Sequence, residues 1–369
     1  MADTNFGALL SEQKTVWARD VWKEARESSF LMQFAGSSKN AIIERVTELT
    51  KDERGSRAVL TLVNDPIGDG VAGDRDLEGQ EEELTARDQV IQIDQLRHAH
   101  RSAGKMTEQK NVVKFRSEAK SSLGLWLGDR MDQISFLTMA GLPLTLNTDG
   151  STRTSNTFSL LEFAADVTAP TSNRHFNLTS TGLAAGDTTA DNHTTFSYDA
   201  LIDIRAKART QKIKPIRGKG GMALYHVFVH PNVMRDLKKD PEFRSNIRSA
   251  MARSGSNPLF QGAESFMLDG LVIHDYLYVP TTFGAAAASK WGSAGNTNGS
   301  TVLVCGSQAL GMADLGSGSW VEKDFDYDNK PGVAYGKIFG LKKPVFHSTL
   351  SGQDEDFSIM RVDVAASAM

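Results

Sequence analysis

The chain has 369 residues, 40% of them hydrophobic and 23% charged, with a formal net charge of −4. These values suit a soluble globular protein with chain enough for one large or two ordinary domains. They exclude bulk electrostatic attraction to nucleic acid as the main design, and leave room only for a local basic patch. Cys305 is the only cysteine, so an intrachain disulfide and a cysteine-rich zinc site are excluded. The N-terminus lacks the basic and apolar regions of a signal peptide, and no apolar run approaches the ~18 residues of a membrane span. A product of reducing cytoplasm, not secreted, is expected.

Ser11 to Arg26 reads as a helix with Trp17, Val21 and Ala25 at i, i+4 and i+8. Its display of Trp17 and Trp22 fits an arm that docks on a neighbour, or equally a terminal helix capping its own domain. Phe30, Leu31 and Phe34 follow, then a strand over Asn40 to Leu49. Two strand-like runs, Ala58 to Val63 and Gln89 to Leu96, enclose Gly68, Gly70, Gly73 and Gly79. The tract Asp74 to Glu83 between them carries six acids (Asp74, Asp76, Glu78, Glu81, Glu82 and Glu83) against one arginine. A two-stranded ribbon with so long and charged a tip is at best marginally stable alone, so it is expected to lie on something else, most simply a second copy.

Val112 to Ala140 reads as a long helix with Leu123, Trp126, Leu127, Met131, Ile134 and Leu137 on one face. Gly124 and Gly128 cost roughly 1 kcal/mol each in an exposed helix interior, and point to close packing on a sheet or to a bend. Gly141 and Pro143 end it. From Thr145 to Tyr198, Ser, Thr, Asn, Asp and Gly dominate, which fits a surface excursion or a small insertion of short strands. The second half alternates: a helix from Tyr198 to Gln211, a strand from Ala223 to Val229, and a helix begun after His230-Pro231. A further helix opens at Asp240-Pro241-Glu242, and a hairpin turns at Asp269-Gly270. Strands are expected at Tyr276 to Val279, Thr301 to Cys305, Gly336 to Phe339, Pro344 to His347 and Phe357 to Val364, with a small-residue loop from Ala285 to Gly299.

Four patterns invite chemistry and fail on spacing. Gly218 to Gly221 lacks the phosphate-loop spacing and precedes a strand. Asp324, Asp326 and Asp328 start like a calcium loop, but Asn329 and Tyr335 stand where glycine and glutamate belong. His98 and His100 share a strand face without a third ligand, and Cys305 has no adjacent base. No catalytic, metal or cofactor residue is assigned. Charge topology remains. Arg205, Lys207, Arg209, Lys212, Lys214, Arg217 and Lys219 form a basic run with no acid between them. It could pair with the acidic tip of another subunit, face packaged nucleic acid by counterion release, or be an ordinary solvated face, since exposed ion pairs contribute only ~0–1 kcal/mol.

The order of parts resembles the major capsid proteins of tailed bacteriophages, the HK97-type fold, an α+β class. Val229-His-Pro231, Leu237 to Pro241 and Tyr335 to Gly340 have the flavour of capsid families of short-tailed phages. The resemblance implies an N-terminal arm and first strand over 1–50, an extended E-loop ribbon over 51–105, and a spine helix over 106–144. It further implies a Ser/Thr/Asn-rich insertion or surface loop over 145–197, an axial domain over 198–313, and C-terminal strands completing the peripheral domain over 314–369. It implies self-association into hexamers and pentamers of an icosahedral shell around double-stranded DNA, with a portal protein, a separate scaffolding protein and a decoration protein as partners, and no membrane. An encapsulin-like compartment shell, a hydrolase built on His230 or His274, and a tail or adhesin subunit are the alternatives.

Overall fold

The computed structural model describes residues 11–47, 57–63, 69–79, 81, 86–110, 114–250, 265–348 and 351–367. It opens with α1 (Ser11–Ser28), whose Ala18, Val21, Trp22 and Ala25 make a buried stripe at helical spacing. A 3-10 turn, Leu31–Phe34, leads to the short strands β1 (Ala35–Gly36) and β2 (Ile43–Val46). The ribbon follows as β3 (Arg57–Val63) and β4 (Ala86–Gln92), paired antiparallel from Arg57 opposite Gln92 to Val63 opposite Ala86. The ribbon ends there. Leu96, expected on it, lies on β5 (Asp94–Arg101), which leaves the ribbon to pair with the body, buries Leu96 and stacks His98 on Trp126 at 4.7 Å.

After α2 (Lys105–Lys110) comes the spine, α3 (Phe115–Ala140), with Leu123, Leu127, Met131, Ile134 and Leu137 buried. Gly141 ends it at φ 68°, the left-handed conformation that glycine adopts without a side-chain clash. Gly124 and Gly128 meet α1 and not a sheet. A Cβ on Gly128 would stand 2.9 Å from the Ala25 carbonyl oxygen, and one on Gly124 would stand 3.2 Å from Glu24 Cβ. The glycines therefore let two helices touch backbone to backbone. The junction is locked by Asp132, 1% exposed, whose carboxylate accepts from Ser29 Oγ at 2.6 Å, Phe30 N at 2.9 Å, Leu31 N at 3.2 Å and Tyr276 OH at 2.7 Å. Burial raises its pKa and these four donors oppose the shift.

The remaining elements in chain order are β6 (His175–Thr179), β7 (Gly182–Ala185), α4 (Tyr198–Thr210), β8 (Ile216–Arg217), β9 (Ala223–Val229), α5 (Pro231–Lys239) and α6 (Pro241–Ala250). Then come β10 (Ser265–Leu268), β11 (Leu271–Asp275), β12 (Gly299–Cys305), β13 (Leu310–Asp314) and β14 (Ser319–Phe325). The chain closes with β15 (Lys330–Lys342), β16 (Val345–His347), β17 (Asp354–Asp356) and β18 (Ile359–Ala365). Asp269 and Gly270, at φ 49° and 79°, make the tight turn that their dipeptide predicts. Tyr276–Val279 is a turn and not a strand, because Tyr276 is drawn to Asp132 and to a stacked Phe30 at 4.3 Å.

Among the described residues the strands form two main sheets. The first runs β1-β2-β13-β15-β14 with β5 on β15, and lies under α1 and α3. The second runs β10-β11-β9-β12-β18-β6-β7 with β8 on β9, and buries Leu201, Ile204, Val233, Leu237 and Phe243 of α4, α5 and α6.

The sheets run across the expected segments. The segment 145–197 carries the short strands β6 and β7 and is tied into both cores. Phe158 and Phe163 enter the first core, and β6 pairs parallel with β18 inside the second sheet. The last residues do not all complete the first sheet, since β14 and β15 belong to it whereas β18 lies between β12 and β6. Conversely β13, expected in the axial unit, belongs to the first sheet. Arg361 joins the two halves, holding Asp363 through Nε at 2.8 Å and Nη2 at 3.0 Å while Nη1 donates to the Ala140 carbonyl at 3.0 Å.

Candidate assembly surfaces

The chemistry patterns resolve structurally. No group of three His, Cys, Asp or Glu suited to a metal is found among the described residues. Cys305 is fully buried and its thiol pKa is driven up by burial. His274 shares a hydrogen bond with His226, 2.9 Å between rings, and burial pushes both down to about 4. His230 Nδ1 accepts from Asn232 N at 3.2 Å and so caps α5. Asp326, Tyr327 and Asp328 form the positive-φ turn between β14 and β15, with Asp326 bound to Lys330 at 3.2 Å.

The buried stripe of the N-terminal helix packs within its own chain. Trp22 is 5% exposed, with the Lys337 ammonium 3.5 Å from its ring centre, and Trp17 packs on Trp320 at 5.5 Å. Lys337 is itself fully buried against Asp314 at 2.5 Å, and Arg45 holds the same carboxylate at 2.6 Å. Burial lowers Lys337 to about 8, against the pull of Asp314. Of the two readings of this helix, an arm docked on a neighbour or a cap on its own domain, the packing within the subunit fits the second for Trp22, which is buried, while Trp17 is half-buried beside α3 and β14.

The ribbon is different. Among the described residues its base is the covered part: Ala58, Leu60, Leu62 and Ile91 pack with Ala313 of the first sheet and with Phe357. The opposite side leaves Val59 41% and Val90 36% exposed. Arg87 donates to both oxygens of Asp354 at 2.7 and 2.8 Å, which with His347 holds that carboxyl down to about 2. Beyond it, Asp74, Asp76, Glu78 and Glu81 are all exposed, and Leu77 is 59% exposed. Glu82 and Glu83 lie outside the described residues.

The basic run divides. Arg205 is paired with Asp269 and Lys207 stands 4.8 Å from the Phe176 ring centre. Lys214 stands 5.8 Å from that of Phe357, whereas Arg209, Lys212 and Arg217 are exposed. Lys219 sits in a 3-10 turn, Lys219–Gly221.

A second cationic surface escaped the sequence reading because its charges lie on three strands. On the face of β5, β15 and β14 away from the helices, pairing sets Arg97, Gly336 and Ser319 in one row, and Ala99, Ala334 and Val321 in the next. Arg101, Gly332 and Lys323 make the third. Arg97, Arg101 and Lys323 are exposed, and Val321 is 54% exposed. The Arg101 and Lys323 cations lie 4.9 and 5.1 Å from the Phe325 ring centre. The alternating run Gln95 to Arg101 carried part of this signal, but not its partner strands.

Comparison with known proteins places these surfaces in context. The chain matches the family described as phage capsid protein over residues 5–368. It is 47% identical over 370 residues to the major capsid protein of Pseudomonas phage KPP25, covering 98% of each chain. Among solved structures it resembles the capsid of Ralstonia phage GP4, with a TM-score of 0.74, 25% identity, and coverage of 91% of this chain and 90% of that one. The Cyanophage Pam1 capsid asymmetric unit shares the fold at a TM-score of 0.69 and 17% identity, covering 100% and 97%.

Proposed function

The chain belongs to the phage capsid protein family and forms the shell of a phage as its major capsid protein, with the α+β HK97-like fold; we propose that it does so as hexamers and pentamers of an icosahedral lattice around double-stranded DNA. The observation that carries the lattice reading is the ribbon. Its base is bound to its own subunit, while Val59, Val90, Leu77 and the acids of the tip face solvent. A lone subunit leaves that surface without apolar or ionic cover, and a symmetric assembly repeats one such contact many times, so each can be modest. The work of the chain is association and not catalysis.

The acids of the tip, Asp74 to Glu83, are proposed to meet cations of a neighbour. Two surfaces offer them: the exposed members of the Arg205–Lys219 run, and Arg97, Arg101 and Lys323 on the first sheet. A run left free of the tip would suit the packaged DNA, where several cations act together through counterion release. A portal protein, a separate scaffolding protein and a decoration protein complete the proposed partners, with assembly in the host cytoplasm before the subunit enters the virion.

Electron microscopy of particles from infected cells, with nuclease treatment before extraction, tests this. Closed round shells with five- and six-fold capsomers and nuclease-protected DNA are expected. Tubes, or shells holding only protein, would overturn it.

A further inference from the structure

Two arginines of the junction between the halves converge on one neutral group. Arg130, half-buried on α3, donates through Nη1 to Gln133 Oε1 at 2.9 Å, and Arg153 donates through Nη2 to the same oxygen at 3.1 Å. Gln133 is buried and carries no charge. Among the described residues neither guanidinium forms an ion pair. Like charges brought this close repel, and the fold holds them there. Arg153 follows a tight turn, with its N donating to the Thr145 carbonyl at 2.9 Å, its Nε to the Leu146 carbonyl at 2.9 Å, and its cation 4.3 Å from the Phe158 ring centre. That turn is tied to the segment after Tyr278, where Thr281 N and Gly284 N donate to the carbonyls of Thr148 and Asp149 at 2.8 Å each.

Between these elements lies a cavity of about 300 Å³, lined by Arg130, Asn147, Asp149, His230, Tyr278 and Thr281 among others. Its lining is rich in donors. His230 Nδ1 accepts from Asn232 N, and burial lowers the ring to about 4, so at neutral pH its proton sits on Nε2. Two acids stand near. Asp149 is exposed and its Oδ1 accepts from Ser151 N at 2.9 Å and Ser151 Oγ at 2.6 Å, while Asp129 is drawn to Tyr278. Burial and the like charge of Arg130 lower Arg153, and Asp149 only opposes that shift.

We propose that this cavity is an oxyanion site for a phosphate group, gripped by Arg130 and Arg153 and seated against His230 and Thr281. A guanidinium fork matches two oxygens of such a group, and a charged acceptor makes stronger hydrogen bonds than the Gln133 amide. The volume is at the small end of ligand sites, which suits a phosphate group and not a whole nucleotide. Two sources share this chemistry, free phosphate and the backbone of packaged DNA.

The test is calorimetric titration of the full-length subunit with inorganic phosphate at fixed ionic strength. A single saturable site is expected. Arg130→Gln should weaken it about tenfold or more, and so should Arg153→Gln, whose unfolding midpoint is read alongside because it also loses the Leu146 and Phe158 contacts. Asp149→Asn keeps an acceptor for Ser151 and should tighten binding, since it removes the carboxylate nearest Arg153. Arg209→Gln/Lys212→Gln, exposed cations elsewhere, should leave it unchanged. A short single-stranded oligonucleotide that displaces the phosphate assigns the source to DNA; phosphate that stays bound assigns it to the free ion, and either result keeps the site. Binding that does not saturate, binding unmoved by Arg130→Gln in a folded subunit, or an equal loss from the Arg209 and Lys212 variant would each overturn it. All are read on the unassembled subunit and leave the shell reading standing.

Discussion

The N-terminal helix and the ribbon tip present the same sequence problem and reach opposite structural answers. Each shows residues that a small element cannot satisfy alone. In α1 those are apolar, and α3 supplies a glycine-lined groove for them, Asp132 ties the following turn, and Lys337 closes over Trp22. In the tip they are acids, and among the described residues no ion pair from the subunit's own body reaches Asp74, Asp76 or Glu78. An amphipathic stripe does not say whose surface it meets. A glycine-rich acidic tract beyond a packed base comes closer to saying so, because it has nothing to bury at home.

Acid should separate the two regions most strongly. His226 and His274 lie beneath the arm, with Phe34 5.3 and 5.1 Å from their rings. The ionisable neighbours are Cys305, opposite His226 on β12, Asp275 on β11, and Tyr276 with its Asp132 partner; from the arm side the rings meet Phe30 and, in the 3-10 turn, Phe34. The rings titrate near 6.5 when unfolded and near 4 when folded, so the unfolded chain takes up protons first. Stability is full above about pH 6.5 and is lost as pH falls toward 4, by about 3 kcal/mol per ring. Asp354 stays ionised through that window, so the ribbon base keeps its tie to Arg87. Hydrogen exchange from pH 7 to 4.5 should show the arm and β11 opening before β3 and β4, and His226→Gln/His274→Gln should flatten the dependence.

Lys337→Met asks the same question at neutral pH. It leaves Asp314 buried with Arg45 and the Gly316 N–H but without its lysine, and removes the cation over Trp22, which should cost about 3–4 kcal/mol. Denaturant midpoints measure it, and exchange in α1 should rise most. A loss under ~1 kcal/mol would mean that α1 is not held where Trp22 places it. Leu60→Ala empties the ribbon base and should cost about 2–3 kcal/mol, with fast exchange confined to β3 and β4.

Periodicity made most of the elements legible. Ala223–Val229, the Asp269-Gly270 hairpin, the helix start at Pro241 and the spine all stand where spacing and cap residues place them. What was hidden depended on partners distant in sequence. Gly124 and Gly128 look like weak points in a helix until Ala25 is known to lie against them. The segment 145–197 looks like a loop because β6 buries Asn177 and Thr179 between its apolar residues, which breaks the hydrophobic signal of a central strand. Lys337, Lys343 and Arg174 read as surface charges, yet each is sealed beside a carboxylate. The candidate contacts divided in the same way: contiguous charges were visible in the sequence, whereas Arg97, Arg101 and Lys323 form a surface only after three strands come into register.

The smallest effect on the subunit belongs to the tip, and it is the most informative. Asp74→Lys/Asp76→Lys/Glu78→Lys changes three exposed side chains, so the unfolding midpoint of the isolated subunit should move by less than about 0.5 kcal/mol. Repulsion among the acids would be relieved, which leaves the sign of that small shift open to salt. Shell formation should nevertheless fall, because every copy would present lysines to the neighbour's cations that the acids of the tip are proposed to meet, and lattice symmetry multiplies a modest local penalty by the number of contacts. Raising the salt should recover part of the yield, since screening acts on the repulsion and not on the buried base. A variant that unfolded more easily would place the tip within the subunit's own architecture. A variant equally stable and equally able to form shells would make its charge a solvated surface, and only the apolar ribbon would then remain to join the copies.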